Sequence, residues 1–426
     1  MKLEAPRGTH DVLAKDWPHW DEIVGTAEKV CQTYGYRPIT TPAFEDTELF
    51  QRTSGAGSDV VQKEMYTFAD RSDRSLTLRP EATAPICRAY VEHGMHRDPQ
   101  PVKLFTIAPM YRYSAPQRGR YREHWQLSVE AIGSADPAID AELIQLYSEL
   151  LRELRISDYE LRINSVGDSN CRPRYYEELV AWLDANDGLL DDEAREKRAT
   201  NPLRVFDVKS REVQAALANA PRLADFLCDE CRVHFDRVQA YLRGYGVDFE
   251  VDPRLVRGLD YYTRTAWEFV GPDEGAQSSI SGGGRYDGLV EEIGGPPTPG
   301  VGFGAGIERL HLALGDREPP GEAIDVFFAL EDEAKRSAIL PLLAKLRASG
   351  RSADTDYAGR SLKGQLTQAG RLGAEVVVIA GSDGYRVRRR GAEEVGAASL
   401  AEVEALLLPG ATSCAARCAP NTSGSA

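Results

Sequence analysis

Five short runs in this chain pair charge with backbone freedom in ways that suit a phosphate-bearing ligand. Leu255-Val-Arg257-Gly-Leu-Asp260-Tyr261-Tyr262 sets an arginine beside two adjacent phenols. A guanidinium never loses its charge at working pH and can grip a phosphate with two parallel bonds. Arg112 closes one apolar stretch, and Gln126, Ser128 and Glu130 alternate along the next. If that second stretch is a strand, the three polar groups share one face. A solvated edge strand with a charged loop would leave the same pattern. Glu81 and Thr83 follow Pro80 where a helix is expected to begin. They suit helix capping as readily as ligand contact. Two glycine runs, Ser281-Gly-Gly-Gly-Arg285 and Gly300-Val-Gly-Phe-Gly-Ala-Gly306, allow a ligand to lie against the main chain, and Arg309 follows the second. Neither run has P-loop spacing or the dinucleotide-binding spacing.

These residues need elements to hold them. Apolar spacing through Trp20, Ile23, Val24, Ala27 and Val30 predicts a helix over 17–34 that Gly35 ends. Strands are expected at 36–42, 75–78, 102–110, 125–132, 267–270 and 300–304, with helices near 81–94 and 137–154. Arg112 to Glu130 then reads as a long hairpin with a cationic tip, Gln117-Arg118-Gly-Arg120. Strands and helices do not alternate regularly, which predicts an α+β fold built on an antiparallel sheet. Residues 168–246 change character: they are charged, helical and free of strand signals. Gly315 to Gly321 is the linker candidate. Beyond it a β-α-β-α-β order predicts a small α/β domain over 323–408. The tail, 409–426, is small and polar and is expected to be disordered. Arg386, Arg388, Arg389 and Arg390 form a basic cluster that suits either phosphate contact or a solvated strand face.

The chain is acidic, with a formal net charge of −15 over 426 residues, so any nucleic-acid contact must be local. No run of about 18 apolar residues predicts a membrane span. No signal or transit segment is read at the start, and the seven cysteines read as reduced thiols of a cytoplasmic protein. Cys228-Asp-Glu-Cys231 has zinc half-site spacing. With no second pair following it, the expectation is core packing on a helix spanning 224–241, and no metal site is assigned.

Taken together, the runs resemble the class II aminoacyl-tRNA synthetases, specifically the histidyl-tRNA synthetase family, over residues 5–400. Pro6-Arg-Gly-Thr-His-Asp11 looks like the N-terminal signature. Tyr36 to Gly55 looks like motif 1, Arg112 to Glu130 like motif 2, and Gly302 to Leu310 like motif 3. Arg257-Gly-Leu-Asp-Tyr-Tyr262 resembles the histidine-specific motif and is the most specific signal.

The resemblance implies a class II catalytic domain made of residues 1–167 and 247–318, a helical insertion at 168–246, and an anticodon-binding domain at 323–408. It implies activation of L-histidine with ATP and Mg²⁺, transfer to tRNA(His), and a homodimer. By position, Glu81, Thr83 and Gln126 would hold the α-amino group, while Glu130 and Tyr262, beside Tyr261, would read the imidazole. Arg112 and Arg257 would serve the α-phosphate as catalytic residues, and Arg309 the γ-phosphate. His124 stands where the family usually places Phe against adenine. Gln117, Arg118 and Arg120 would meet the tRNA acceptor end, with Ala115 at a place that often holds Arg. The same catalytic fold also resembles the histidine-sensing regulatory subunit of ATP phosphoribosyltransferase. That relative generally lacks the C-terminal domain and the Arg-Gly-Leu-Asp-Tyr-Tyr segment present here.

Overall fold

The computed structural model describes residues 3–53, 60–115, 118–208, 210–257, 259, 261–272, 279–315, 317 and 323–408. The chain divides into two compact units, Met1–Arg317 and Glu318–Ala426.

The first unit is organised by an eight-stranded sheet. Its order is Arg37–Pro38, Val102–Tyr111, Glu123–Ile132, Gly300–Gly306, Ser279–Arg285, Thr263–Val270, Glu160–Ser165 and Glu250–Val251. The six inner strands pair antiparallel, and a two-residue strand adds in parallel at each edge. The antiparallel α+β expectation therefore holds. The expected strand over 36–42 shrinks to Arg37–Pro38, because Pro38 and Pro42 remove ladder donors. Ser279–Arg285 is a central strand that the glycine run concealed. Its partners supply the packing that its own side chains lack.

One face of the sheet carries the main core. Helices Trp17–Thr33 and Pro137–Glu153 bury Trp20, Ile23, Leu143, Tyr147 and Leu150 against Val129, Phe269 and Phe303. Fully burying each such side chain contributes roughly 1.5–3 kcal/mol. The opposite face is left for the site residues. A separate three-stranded sheet, ordered Phe44–Asp46, Ser75–Leu78, Tyr66–Ala69, leads into helix Thr83–Glu92.

Among the described residues of 168–246 there are helices and 3-10 turns and no strand. The segment does not form one body, however. Tyr175, Leu179, Leu190, Val205, Val213 and Leu217 make a second core together with Val166 and with Ala266 of the sheet. The last helix, Asp229–Tyr245, instead puts Phe235, Val238 and Leu242 into the core of the main sheet. That helix also starts later than expected. Cys228 is its half-buried N-cap, and only Cys231 faces the interior.

The second unit holds a five-stranded sheet ordered Ala353–Thr355, Val326–Leu330, Val376–Gly381, Gly384–Arg389, Val395–Ala397. The first three are parallel and the last two form a hairpin. The basic cluster lies on this hairpin and just beyond it. Arg386 pairs with Glu331 and Arg388 with Glu394, each at 2.8 Å. Arg389 and Arg390 donate to the carbonyls of Leu406 and Gly373. Among the described residues, no helix is long and apolar enough to cross a membrane.

Candidate active site

The hairpin Val102–Tyr111/Glu123–Ile132 projects Gln126, Ser128 and Glu130 onto the face opposite the main core, as the two-residue period requires. Trp125 points the other way and meets Trp20 edge-on at 6.1 Å. Above this face opens a cavity of about 620 Å³. Its lining joins Glu81, Thr83, Arg112, Arg120, His124, Gln126, Arg257, Tyr261, Tyr262 and Arg309. Ten of the expected site residues therefore meet in one place. Gln117 lies outside the described residues, and Arg118 is exposed and not part of the lining. Glu193, Lys197 and Arg204, from the helical segment, also reach the cavity wall.

Glu130 sits apart, beneath the floor and fully buried. Its Oε1 accepts from the Thr83 hydroxyl at 2.8 Å and its Oε2 from the Tyr286 phenol at 2.6 Å. Burial pushes its carboxyl up to about 8, against the opposing pull of the Tyr286 and Thr83 bonds. Tyr286 received no role from sequence. Its signal lay in view, two residues past the glycine run, but only the folded register shows that its ring ends on Glu130.

The glycine runs serve the protein's own side chains before any ligand. A Cβ at Gly302 would land on the Glu130 carboxylate, and one at Gly282 on the Arg257 guanidinium. Arg257 is held by Glu268 at 2.9 Å. Glu268 is a second residue that sequence reasoning missed.

At the other end of the cavity the charge is positive. Arg112 donates from Nε to the Pro80 carbonyl at 2.7 Å, which leaves the outer edge of its fork toward the opening. Arg309 is anchored by the carbonyls of Gly119 and Ser279. Burial and then the neighbouring charge of Arg120 hold its guanidinium below the ordinary value, with Glu268 pulling the other way. Burial, followed by Arg112, Arg309 and Arg120, pushes His124 down to about 3, so its ring is neutral. A cluster of cations brought together at this energetic cost suits an anion that arrives with its own charge.

Glu81 answers both of its sequence readings. The helix starts at Thr83, so Glu81 lies outside it and caps it, accepting from the N–H groups of Thr83 at 2.6 Å and Ala84 at 3.0 Å. The same carboxylate lines the cavity. Tyr261 and Tyr262 form a wall with ring centroids 4.8 Å apart, and Tyr261 meets Tyr286 edge-on at 5.9 Å.

Comparison with known proteins gives a consistent picture. A sequence profile described as "Histidyl-tRNA synthetase" matches residues 8–310. A histidine--tRNA ligase of Moorella thermoacetica is 48% identical over 406 residues, covering 95% of this chain and 96% of its own. That of Halothermothrix orenii is 48% identical over 384 residues, covering 89% and 92%. The apo histidyl-tRNA synthetase of S. aureus superimposes with a TM-score of 0.78 at 35% identity, covering 95% of this chain and 99% of its own. A Bacillus halodurans structure titled as an ATP phosphoribosyltransferase regulatory subunit/histidyl-tRNA synthetase, at 24% identity and a TM-score of 0.63, shares the fold. With the match spanning most of the chain and the motif residues gathered in one cavity, this chain belongs to the histidyl-tRNA synthetase family.

Proposed function

We propose that this chain is a histidine--tRNA ligase, which activates L-histidine with ATP and transfers it to the 3′ end of tRNA(His). The observation that carries this reading is the pairing of two chemistries at one cavity: phenols at the floor with the carboxyl of Glu130 buried beneath them, and arginines at the other end. Neutral imidazole has one donor and one acceptor nitrogen. Glu130 retains unused lone pairs for the donor, and the Tyr262 hydroxyl suits the acceptor. Glu81, Thr83 and Gln126 supply oxygens toward the α-ammonium group. The histidine carboxylate then attacks the α-phosphorus in line, and pyrophosphate leaves. Arg112 and Arg257 take up the charge that grows on the α-phosphate, Arg309 holds the γ-phosphate, and His124 offers a neutral ring to adenine. The tRNA terminal ribose hydroxyl next attacks the adenylate carbonyl, losing its proton, and AMP leaves as the acyl–phosphate bond breaks.

Mg²⁺ fits this site through its donor chemistry. Glu268 brings a hard carboxylate oxygen to the wall among the arginines, and Mg²⁺ is commonly held by one or two carboxylates plus substrate phosphates. Bound there, the ion would neutralise phosphate charge. Arg118, which is exposed, and Arg120, paired with Glu64 at 2.8 Å, are the described residues of the hairpin tip that suit the tRNA acceptor end. Residues 323–408 would read the anticodon, and residues 168–246 would approach the tRNA from the cavity rim. A homodimer is favoured by exposed Phe44 and Phe68, which meet at 6.3 Å on the three-stranded sheet. The buried thiols suit a reducing cytoplasm.

The test is ATP–pyrophosphate exchange with each of the twenty amino acids. Histidine alone should drive it, and Arg257→Ala should abolish it while the fold persists. Exchange driven by another amino acid, or an active Arg257→Ala protein, would overturn the reading. Removing residues after 317 should spare exchange and impair charging of tRNA.

A further inference from the structure

Cys228 and Cys231 do have a second pair, but it lies upstream and half of it is not cysteine. The loop after strand Glu160–Ser165 carries Asp168-Ser-Asn-Cys171, which has the same two-residue gap. The fold brings Asp168, Cys171, Cys228 and Cys231 together so that one ligand atom from each lies within 4.8 Å of the others. The Cys171 and Cys231 sulfurs are 3.8 Å apart. Asp168 Oδ1 is 3.4 Å from the Cys171 sulfur and 3.9 Å from that of Cys228. A tetrahedral zinc with Zn–S of about 2.3 Å and Zn–O of about 2.0 Å requires edges of roughly 3.8 Å between sulfurs and 3.5 Å between sulfur and oxygen. The spacing of the four atoms is thus that of a ligand set. It is too wide for a disulfide, whose sulfurs sit about 2.05 Å apart.

The surroundings agree. Cys171 and Cys231 are buried, Asp168 nearly so, and Cys228 half-buried. The Asp168 backbone N–H donates to the Cys171 sulfur at 3.2 Å, and the Asn170 N–H donates to Asp168 Oδ1 at 2.9 Å. Outer hydrogen bonds of this kind orient metal ligands. Arg264 Nη2 lies 3.6 Å from the other carboxylate oxygen, Oδ2, which leaves Oδ1 turned toward the sulfurs. Cys31 and Cys87, by contrast, are buried apart from the cluster.

We propose that Asp168, Cys171, Cys228 and Cys231 bind one structural Zn²⁺. Three thiolates and a carboxylate close the tetrahedron without room for a substrate, so the site is structural. Its place gives it a task. The ion would tie the point where the chain leaves the sheet to the start of helix Asp229–Tyr245. The neighbouring Arg172 bonds the carbonyls of Val166 and Tyr262, so the clasp also backs the tyrosine wall.

The full-length protein, isolated from cells supplied with zinc and without chelator, should carry about one zinc per chain by elemental mass spectrometry. Exchange of Zn²⁺ for Co²⁺ should give thiolate charge-transfer and tetrahedral d–d bands. Cys171→Ser and Cys231→Ser should each lower metal affinity by at least about tenfold, whereas Cys31→Ser and Cys87→Ser should retain it. Asp168→Cys should keep one metal and strengthen the charge-transfer band. This restores a full ligand set and stands even if the serine variants fail to fold. Wild-type protein that binds neither Zn²⁺ nor Co²⁺ would overturn the proposal. So would a Cys171–Cys231 disulfide in the native chain, seen as a loss of two mass units without reductant, or an unchanged metal content in Cys171→Ser and Cys231→Ser.

Discussion

Two carboxylates, Asp140 and Glu130, are wholly buried in the same unit, and the fold treats them in opposite ways. Asp140, on helix Pro137–Glu153, is surrounded by charge. Arg285 forks onto both its oxygens, its Nε at 3.2 Å from Oδ1, and His234 Nε2 lies 3.3 Å from Oδ1. Burial alone would raise this acid, yet the Arg285 charge and the His234 bond overcome it and hold Asp140 down to about 2. Glu130 has two hydroxyl donors and, among the described residues, no ion pair, and it sits up near 8. The comparison separates structure from function. A charge that holds the fold is neutralised by a partner within the chain, whereas an acid meant for a ligand keeps its proton until the ligand arrives.

The sharpest way to break this contrast is Glu130→Gln. An amide keeps one acceptor oxygen but turns the other into a donor and cannot ionise, so one of the hydroxyls of Thr83 and Tyr286 loses its acceptor. We expect kcat/KM for histidine in pyrophosphate exchange to fall by about 10³–10⁴-fold. A loss under tenfold would remove Glu130 from the specificity machinery.

Asp140→Asn addresses the other member. It leaves Arg285 buried without its counter-charge, and the unit bearing the large sheet should lose about 3–5 kcal/mol in urea unfolding. A loss below about 1 kcal/mol would mean that Asp287 and the carbonyls of Ser134 and Asp136 suffice for Arg285, and the contrast would fail.

The pH dependence of the two sites has opposite sign. In the unfolded chain a glutamate ionises near 4.5, so between that value and about 8 the folded state holds one proton more. The stability of the ligand-free protein should therefore decline as pH rises through this window, by at most about 1.4 kcal/mol per unit from this group. Asp140 contributes in the reverse sense. Its stabilisation is present above 3.8 and lost as pH falls toward 2. Thermal melts across pH 5–8 should slope less steeply in Glu130→Gln than in wild type. Equal slopes would assign the decline to other groups, Glu308 first, which burial raises to about 7.

The smallest effect is expected from Tyr286→Phe. Removing one donor to Glu130 should weaken histidine binding by about tenfold and shift the pH profile of that binding upward, since the lost bond favoured the ionised acid. An unchanged profile would show that Tyr286 only packs.

Much of the site was legible from sequence because its chemistry is local. Gln126 and Glu130 share a strand face by period, and Arg257 to Tyr262 is one run. Strand Ser75–Leu78 and helix Pro137–Glu153 were legible too, each at nearly its expected bounds. What stayed hidden depends on partners far along the chain. Strand Ser279–Arg285 has glycines where strand propensity needs bulk, and its pairing comes from Thr263–Val270 and Gly300–Gly306. Arg285 and Asp140 are separated by 145 positions, and Tyr286 and Glu130 by 156. The cysteine cluster escaped because its other half lies 60 positions upstream, with a carboxylate in place of one thiol.

The meeting of Asp168 with Cys228 has an architectural consequence. A segment whose two ends are pinned side by side is a cassette. It can be lengthened, shortened or exchanged without re-threading the chain that remains, because a short bridge closes the gap. Helix Asp229–Tyr245 lies beyond that seam and stays with the core of the sheet. What lies between can diversify among descendants of this scaffold wherever it does not meet the pocket, as Glu193, Lys197 and Arg204 do.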